Sequence, residues 1–200
     1  MTKKNEKVMI TIAEREIKKF VGEWEKKPYL WESETDIHAE IYMRIKKSLR
    51  KVFPLKERYK YEKKDNEEYL DWVYCKPLIT RSRKNQRKWY YPDIVIFKHN
   101  KKNNGCVESK PIWICEIKYT TEWSSGVSNN NIKNDGKKMQ RLLKQKADDT
   151  SANQACLLVL KRKQWKSKNK QNREKWHRIE IKKILKGTGV KLYYKEVRNN

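Results

Sequence analysis

The stretch "YYPDIVIF", residues 90 to 97, sets one aspartate, Asp93, inside an otherwise apolar run rich in β-branched and aromatic residues. A second run, "WICEIKY" at 113 to 119, repeats the pattern with Glu116 and Lys118. Both read as strands, and an unpaired charge in such a strand is costly. The chain nevertheless places them there, although its 50 Lys and Arg against 25 Asp and Glu (formal net charge +25) leave it few acidic residues to spend.

Working outward, "YLDWVYCKPLIT" (69 to 80) predicts a strand before these two, the third of which extends over "PIWICEIKYT" (111 to 120). The connectors "RSRKNQRK" (81 to 88) and "KHNKKNNG" (98 to 105) are short enough for antiparallel returns. Upstream, Thr11 with Glu14 has capping-box spacing, and Ile12, Ile17, Phe20, Val21 and Trp24 keep a helical period, so a first helix is predicted over 12 to 26. Ser33 with Asp36 repeats the signal ahead of Ile37, Ile41, Ile45, Leu49 and Val52, which predicts a second helix over 34 to 52. Residues 56 to 68 carry no clear apolar face and are left unassigned.

Downstream, the Ser, Asn and Gly content of 121 to 136 predicts a mobile loop that opens into a helix over 137 to 149. "QACLLVLKR" (154 to 162) is apolar enough for a strand buried on both faces. A short helix around Trp176, Ile179, Ile181, Ile184 and Leu185 and a last alternating strand, "VKLYYKEV", follow. The order is helix, three strands, helix, strand, with a helix added in front and a helix and strand behind. That is an α/β layered fold, read as one domain over residues 1 to 200.

Eight Trp and eleven Tyr supply apolar area enough for a folded core despite 38% charged residues. Trp24, Trp72 and Trp113 are read as part of it. No apolar run approaches the ~20 residues that span a bilayer, and the N-terminus lacks a signal peptide's apolar block. These features predict an intracellular, cytoplasmic chain with no membrane partner. Cys75, Cys106, Cys115 and Cys156 show no metal-binding spacing and are read as reduced core thiols. A sequence pI near 9.9 with charge spread along the whole chain points to a phosphate polymer as partner.

Alternation along a strand puts Glu116 and Lys118 on one face, roughly 7 Å apart. If the two charged strands pair, Asp93 near the start of one meets Glu116 near the end of the other. Close carboxylates repel unless a cation lies between them, and Mg²⁺ accepts one or two carboxylates together with water and phosphate oxygens. The Lys118 ammonium then has a role beside a phosphate or an attacking water.

"PD" at 92 to 93, a spacer of 22 residues and "EIK" at 116 to 118 together resemble the signature of the PD-(D/E)xK, restriction-endonuclease-like nuclease superfamily. The likeness covers about residues 33 to 162. It implies an αβββαβ core with a mixed central sheet flanked by helices. It also implies that Asp93 and Glu116 ligate Mg²⁺, for which Mn²⁺ can substitute, with the main-chain carbonyl of Ile117 as a further ligand, and that Lys118 is the catalytic lysine. In the superfamily an acidic residue of the preceding helix often joins the site, which offers Glu34 or Glu40. Glu34 falls on the Ile37, Ile41, Ile45, Leu49 stripe and Glu40 off its edge. "ExDxHA", from Glu34 to Ala39, also resembles the start of the matching helix in nuclease subunits of type I restriction systems. In the second core helix the family often has a polar residue near the site; Asp135, Gln140 and Lys144 are the candidates. The resemblance implies DNA as the substrate.

Each signal has a plainer reading. Asp93 after Pro92 is also a common turn residue, and Glu116 with Lys118 also fits a solvated pair on a half-exposed strand. Their coincidence with the element order favours the functional reading. His38, on the apolar side of its helix, is read as a packed core histidine, and neither His99 nor His177 is assigned a role. Arg81, Arg83, Lys84, Arg87, Lys88, Lys144 and Trp165 are candidate DNA contacts, with the tryptophan stacking on a base. The leading reading is a Mg²⁺-dependent nuclease acting on DNA. Its rivals are a binding module that keeps the fold without turnover and a small basic structural protein. Cleavage of both duplex strands makes a two-fold homodimer the natural assembly.

Overall fold

Helix α2, Glu34–Val52, starts where the Ser33 and Asp36 spacing puts it. Ser33 Oγ accepts from the Asp36 N–H at 3.1 Å, and Asp36 Oδ2 accepts from the Ser33 N–H at 2.9 Å. The computed structural model describes residues 2–53, 59–63, 66–77, 79–81, 88–101, 107–120, 129–144, 152–163 and 171–198. Helix α1, Lys3–Lys26, begins well before residue 12. Thr2 is its cap, accepting from Asn5 N–H at 3.3 Å, whereas the Thr11 hydroxyl donates back to the Lys7 carbonyl at 2.8 Å, a usual fate of threonine inside a helix. Fully buried Met9 carries the apolar stripe back past Ile12.

The main sheet holds β3 (Val73–Cys75), β6 (Ile94–Lys101), β7 (Val107–Thr120), β8 (Gln154–Lys163) and β9 (Val190–Arg198) in the order β3-β6-β7-β8-β9. The first two pairings are antiparallel and the last two parallel, with α3 (Asn129–Lys144) and α4 (Gln171–Leu185) as the crossover helices. Two short hairpins lie outside this sheet: β1 (Tyr59–Lys63) with β2 (Asn66–Leu70), in the unassigned stretch, and β4 (Ile79–Arg81) with β5 (Lys88–Tyr90).

The strand predicted over 69 to 80 is therefore broken, and only Val73–Cys75 joins the main sheet. Lys76 takes φ +47°, a left-handed conformation that turns the chain out of the ladder, and Pro77 offers no N–H to resume it. The second correction concerns 121 to 136, where the helix already runs from Asn129. Ile132 and Met139 are fully buried and Leu142 nearly so, and this stripe outweighs the loop-like composition. Residues 121–128 and 145–149 lie outside the described residues.

The sheet has an apolar layer on each face. Ile94, Ile96, Cys115, Ile117, Cys156 and Leu158 pack toward α1 and α2; Val95, Ile114, Ala155, Leu157 and Val159 pack toward α3 and α4. Residues 155 to 160 are all buried, as a strand covered on both sides requires. The register moves from Ile96↔Trp113 to Phe97↔Pro111, so Ile112 is an extra residue. This β-bulge puts Ile112 and Trp113 in the same layer and sets the phase in which Ile114, Glu116 and Lys118 face α3. Trp24, Trp72 and Trp113 are buried, as read from the sequence. Among the described residues, no helix is long and apolar enough to cross a membrane.

Candidate active site

Strand β7 outruns β6. The antiparallel ladder stops at Ile94↔Cys115, so Ile117 and Tyr119 point their N–H groups at an edge where no strand continues. Two carboxylates take its place. Asp93 Oδ2 accepts from Ile117 N–H at 2.7 Å, and Glu34 Oε2 accepts from Tyr119 N–H at 3.1 Å. Both are set locally. The Asp93 carbonyl accepts from Lys76 N–H at 2.9 Å, and Glu34 is the first residue of α2 after the Ser33 cap. The Tyr119 hydroxyl donates to the Trp31 carbonyl at 3.2 Å, which ties the α1–α2 turn to the end of β7.

Glu116 and Lys118 project from the other face, toward α3. Glu116 is 4% exposed, and Asp93 stands one step beyond the last paired residues, Ile94 and Cys115, next to it across the end of the ladder. Lys118 Nζ lies 3.2 Å from Asp135 Oδ2 and 3.7 Å from Glu116 Oε2. Burial alone would push the Lys118 ammonium down, but the charges of Glu116, Asp135 and Asp93 outweigh it and hold the group above its ordinary value. Lys118 is therefore a cation at neutral pH.

His38 is the site residue that sequence reasoning missed. It is 2% exposed, with Nε2 3.4 Å from Asp93 Oδ2 and 3.8 Å from Glu34 Oε1. Neither ring nitrogen finds a hydrogen-bond partner among the described residues. Burial lowers its pKa against the opposing pull of Asp93 and Glu34, so the ring is neutral at pH 7. The available signal was its position four residues after Glu34, on the same helical stripe.

Other candidates fall elsewhere. Glu40 is bound to Arg44 Nε at 2.6 Å, and Arg44 is held in turn by Glu23 of α1, so the structure brings Glu34 and not Glu40 to the strand end. Gln140 donates to the Gly187 carbonyl before β9. Arg81 and Lys88 face each other in the β4–β5 ladder, whose second strand ends three residues before Asp93, and Lys144 closes α3. The side chains of those three, and Arg83, Lys84, Arg87, Trp165 and Cys106 altogether, lie outside the described residues. Cys115 and Cys156 are buried free thiols, but Cys75 is exposed at the strand end that Lys76 turns away.

Among the described residues, no three His, Cys, Asp or Glu side chains form a metal-binding group. The groups at the strand end that could hold a cation are fewer: the carboxylates of Asp93 and Glu116, and the Ile117 carbonyl on the same strand edge as its N–H. Two carboxylates and a carbonyl, completed by water and phosphate oxygens, suit Mg²⁺, which rarely occupies an all-protein cage. In comparisons with known proteins, the chain matches no family model, no curated protein and no solved structure.

Proposed function

We propose that the chain is a divalent-metal-dependent nuclease with a restriction-endonuclease-like core, hydrolysing phosphodiester bonds in DNA. The observation that carries this reading is the juxtaposition of Asp93, Glu116 and a charged Lys118 at the open end of two neighbouring strands. The order α2, β3, β6, β7, α3, β8 supports it, since this is the helix, three strands, helix, strand sequence of the resemblance, with two hairpins inserted. The net charge of +25 supports it from outside by drawing a polyanion toward an acidic centre that would otherwise repel it.

Asp93, Glu116 and the Ile117 carbonyl would hold Mg²⁺ or Mn²⁺, which when bound supplies Lewis acidity and a water of lowered pKa. The chain's own groups do the rest. The Ile117 N–H fixes the orientation of the Asp93 carboxylate. Lys118 presents a permanent positive charge to the phosphate as negative charge builds on its oxygens. Neutral His38 adds no charge to the Asp93 carboxylate beside it.

The test is incubation of purified protein with supercoiled, linear duplex, single-stranded and junction DNA, in Mg²⁺, Mn²⁺ or EDTA, beside Glu116→Ala and Lys118→Ala. Cleavage that needs metal and disappears in both variants is the expected result. Metal-independent DNA binding with no product on any substrate would overturn it and leave a binding module on the same fold.

A further inference from the structure

Asp135 reaches the strand end from α3. It is 8% exposed and lies one helical turn after fully buried Ile132. The next residue, Gly136, sits so close to α4 that an added Cβ would come within 2.8 Å of Leu185 Cδ2, so this turn of α3 is seated by helix packing. Both oxygens of Asp135 are engaged. Oδ1 accepts from Lys138 Nζ at 2.9 Å, and Oδ2 faces Lys118 Nζ at 3.2 Å. The Lys118 ammonium thus lies nearer to Asp135 than to Glu116, its neighbour on β7 at 3.7 Å.

That asymmetry matters because two cations compete for one carboxylate. A divalent ion at Glu116 must displace whatever share of the Lys118 ammonium that carboxylate holds. A half-buried ammonium with no second partner would resist the displacement, since it would be left uncompensated. Asp135 is that second partner, fixed in place by Lys138 and by the seating of α3.

We propose that Asp135 is a positioning residue that holds the Lys118 ammonium off Glu116 and thereby keeps this carboxylate competent for a divalent cation. The inference rests on the nuclease reading above and gives one of its candidate residues a role. Among the described residues Asp135 pairs with Lys118 and Lys138, so its effect on a cation at Glu116 would be transmitted through Lys118.

The test is Mn²⁺ binding without DNA, followed by the electron paramagnetic resonance of free Mn²⁺, in wild type, Asp135→Asn, Lys118→Met and the double variant. Circular dichroism checks that each is folded, and Asp135→Ser carries the same cycle should Asp135→Asn not fold. Asp135→Asn is expected to weaken Mn²⁺ binding about fivefold or more with Lys118 present and less than about twofold in the Lys118→Met background. Asp135→Glu, which restores the charge, recovers most of the affinity. Equal losses in both backgrounds would overturn the inference, because Asp135 would then act only as a distant negative charge. Unchanged binding in Asp135→Asn would overturn it too. If wild type binds no Mn²⁺, the nuclease reading fails and takes the inference with it; the other two failures leave that reading standing.

Discussion

Asp93 is expected to serve the fold and the chemistry by different atoms, and two substitutions separate them. Asp93→Ala removes the acceptor of the 2.7 Å bond from Ile117 N–H at a position only 7% exposed. A buried donor left without a partner costs about 1–3 kcal/mol, and a bond to a charged acceptor lies in the upper part of that range, so a loss of about 2 kcal/mol is expected. For a domain of this size that is about 4–8 °C in Tm. Asp93→Asn keeps an amide oxygen in the same place, so its stability should stay within about 1 kcal/mol of wild type. Both variants should lose metal-dependent cleavage. The assay is urea unfolding of all three proteins in EDTA, beside DNA cleavage in Mg²⁺. Equal destabilisation of the Asn and Ala variants would refute the reasoning, since the oxygen would then not be holding the end of β7.

Lys118→Met should lower the cleavage rate about 10²-fold or more while DNA binding persists, measured by single-turnover kinetics and by gel shift. Because the folded-state pKa of Lys118 is raised, its contribution to stability is fully present below the ordinary lysine value of 10.5 and is lost as pH rises through the folded value. Lys118→Met should therefore flatten the alkaline arm of the stability profile, and an unchanged arm would count against the ion pairs. His38 has the opposite sign: its pKa is lowered from 6.5 by burial, so the unfolded chain takes up the proton first and stability falls as pH drops from 6.5 toward the folded value. His38→Gln should reduce that acid-side slope in urea midpoints taken in EDTA; buried His99, shifted in the same direction, leaves a remainder. Ser33→Ala removes the cap of α2 next to Glu34 and should cost about 1 kcal/mol of stability by thermal unfolding.

What was legible in the sequence was local. The Ser33 and Asp36 pair, the Ile37 to Leu49 stripe and the apolar run at 154 to 162 each express one period or one cap, and the corresponding elements form where that pattern puts them. Alternation placed Glu116 and Lys118 on one face, and they share it. What was hidden depends on contacts between distant segments. Lys76 could not be read as a break, because lysine has no preference for left-handed backbone. The Asn-rich start of α3 looks like a loop until Ile132 is buried against the sheet. His38 reads as core because its helix stripe is apolar, and only the arrival of Asp93, just ahead of β6, brings it to the candidate site.

Main-chain demands explain part of the charged strand end. Where β6 stops, β7 still exposes two N–H groups, and Asp93 and Glu34 satisfy them. An uncharged Asn and Gln at those positions could accept the same two bonds, so backbone capping accounts for an oxygen there and not for a charge. Glu116 lies off that edge. Its side chain turns to the opposite layer from the Ile117 side chain, and its own backbone belongs to the ladder with β8, where it pairs with Leu157. Lys118 lies between Glu116 and Asp135, nearer to Asp135, and well-packed apolar residues in place of such a buried charged group are often as stable. Glu34, Asp93, Glu116 and Asp135 each contact the last residues of β7 or lie beside them, in a molecule carrying +25 overall. Stability does not ask for that arrangement; the proposed cleavage of a polyanion with the help of a cation would.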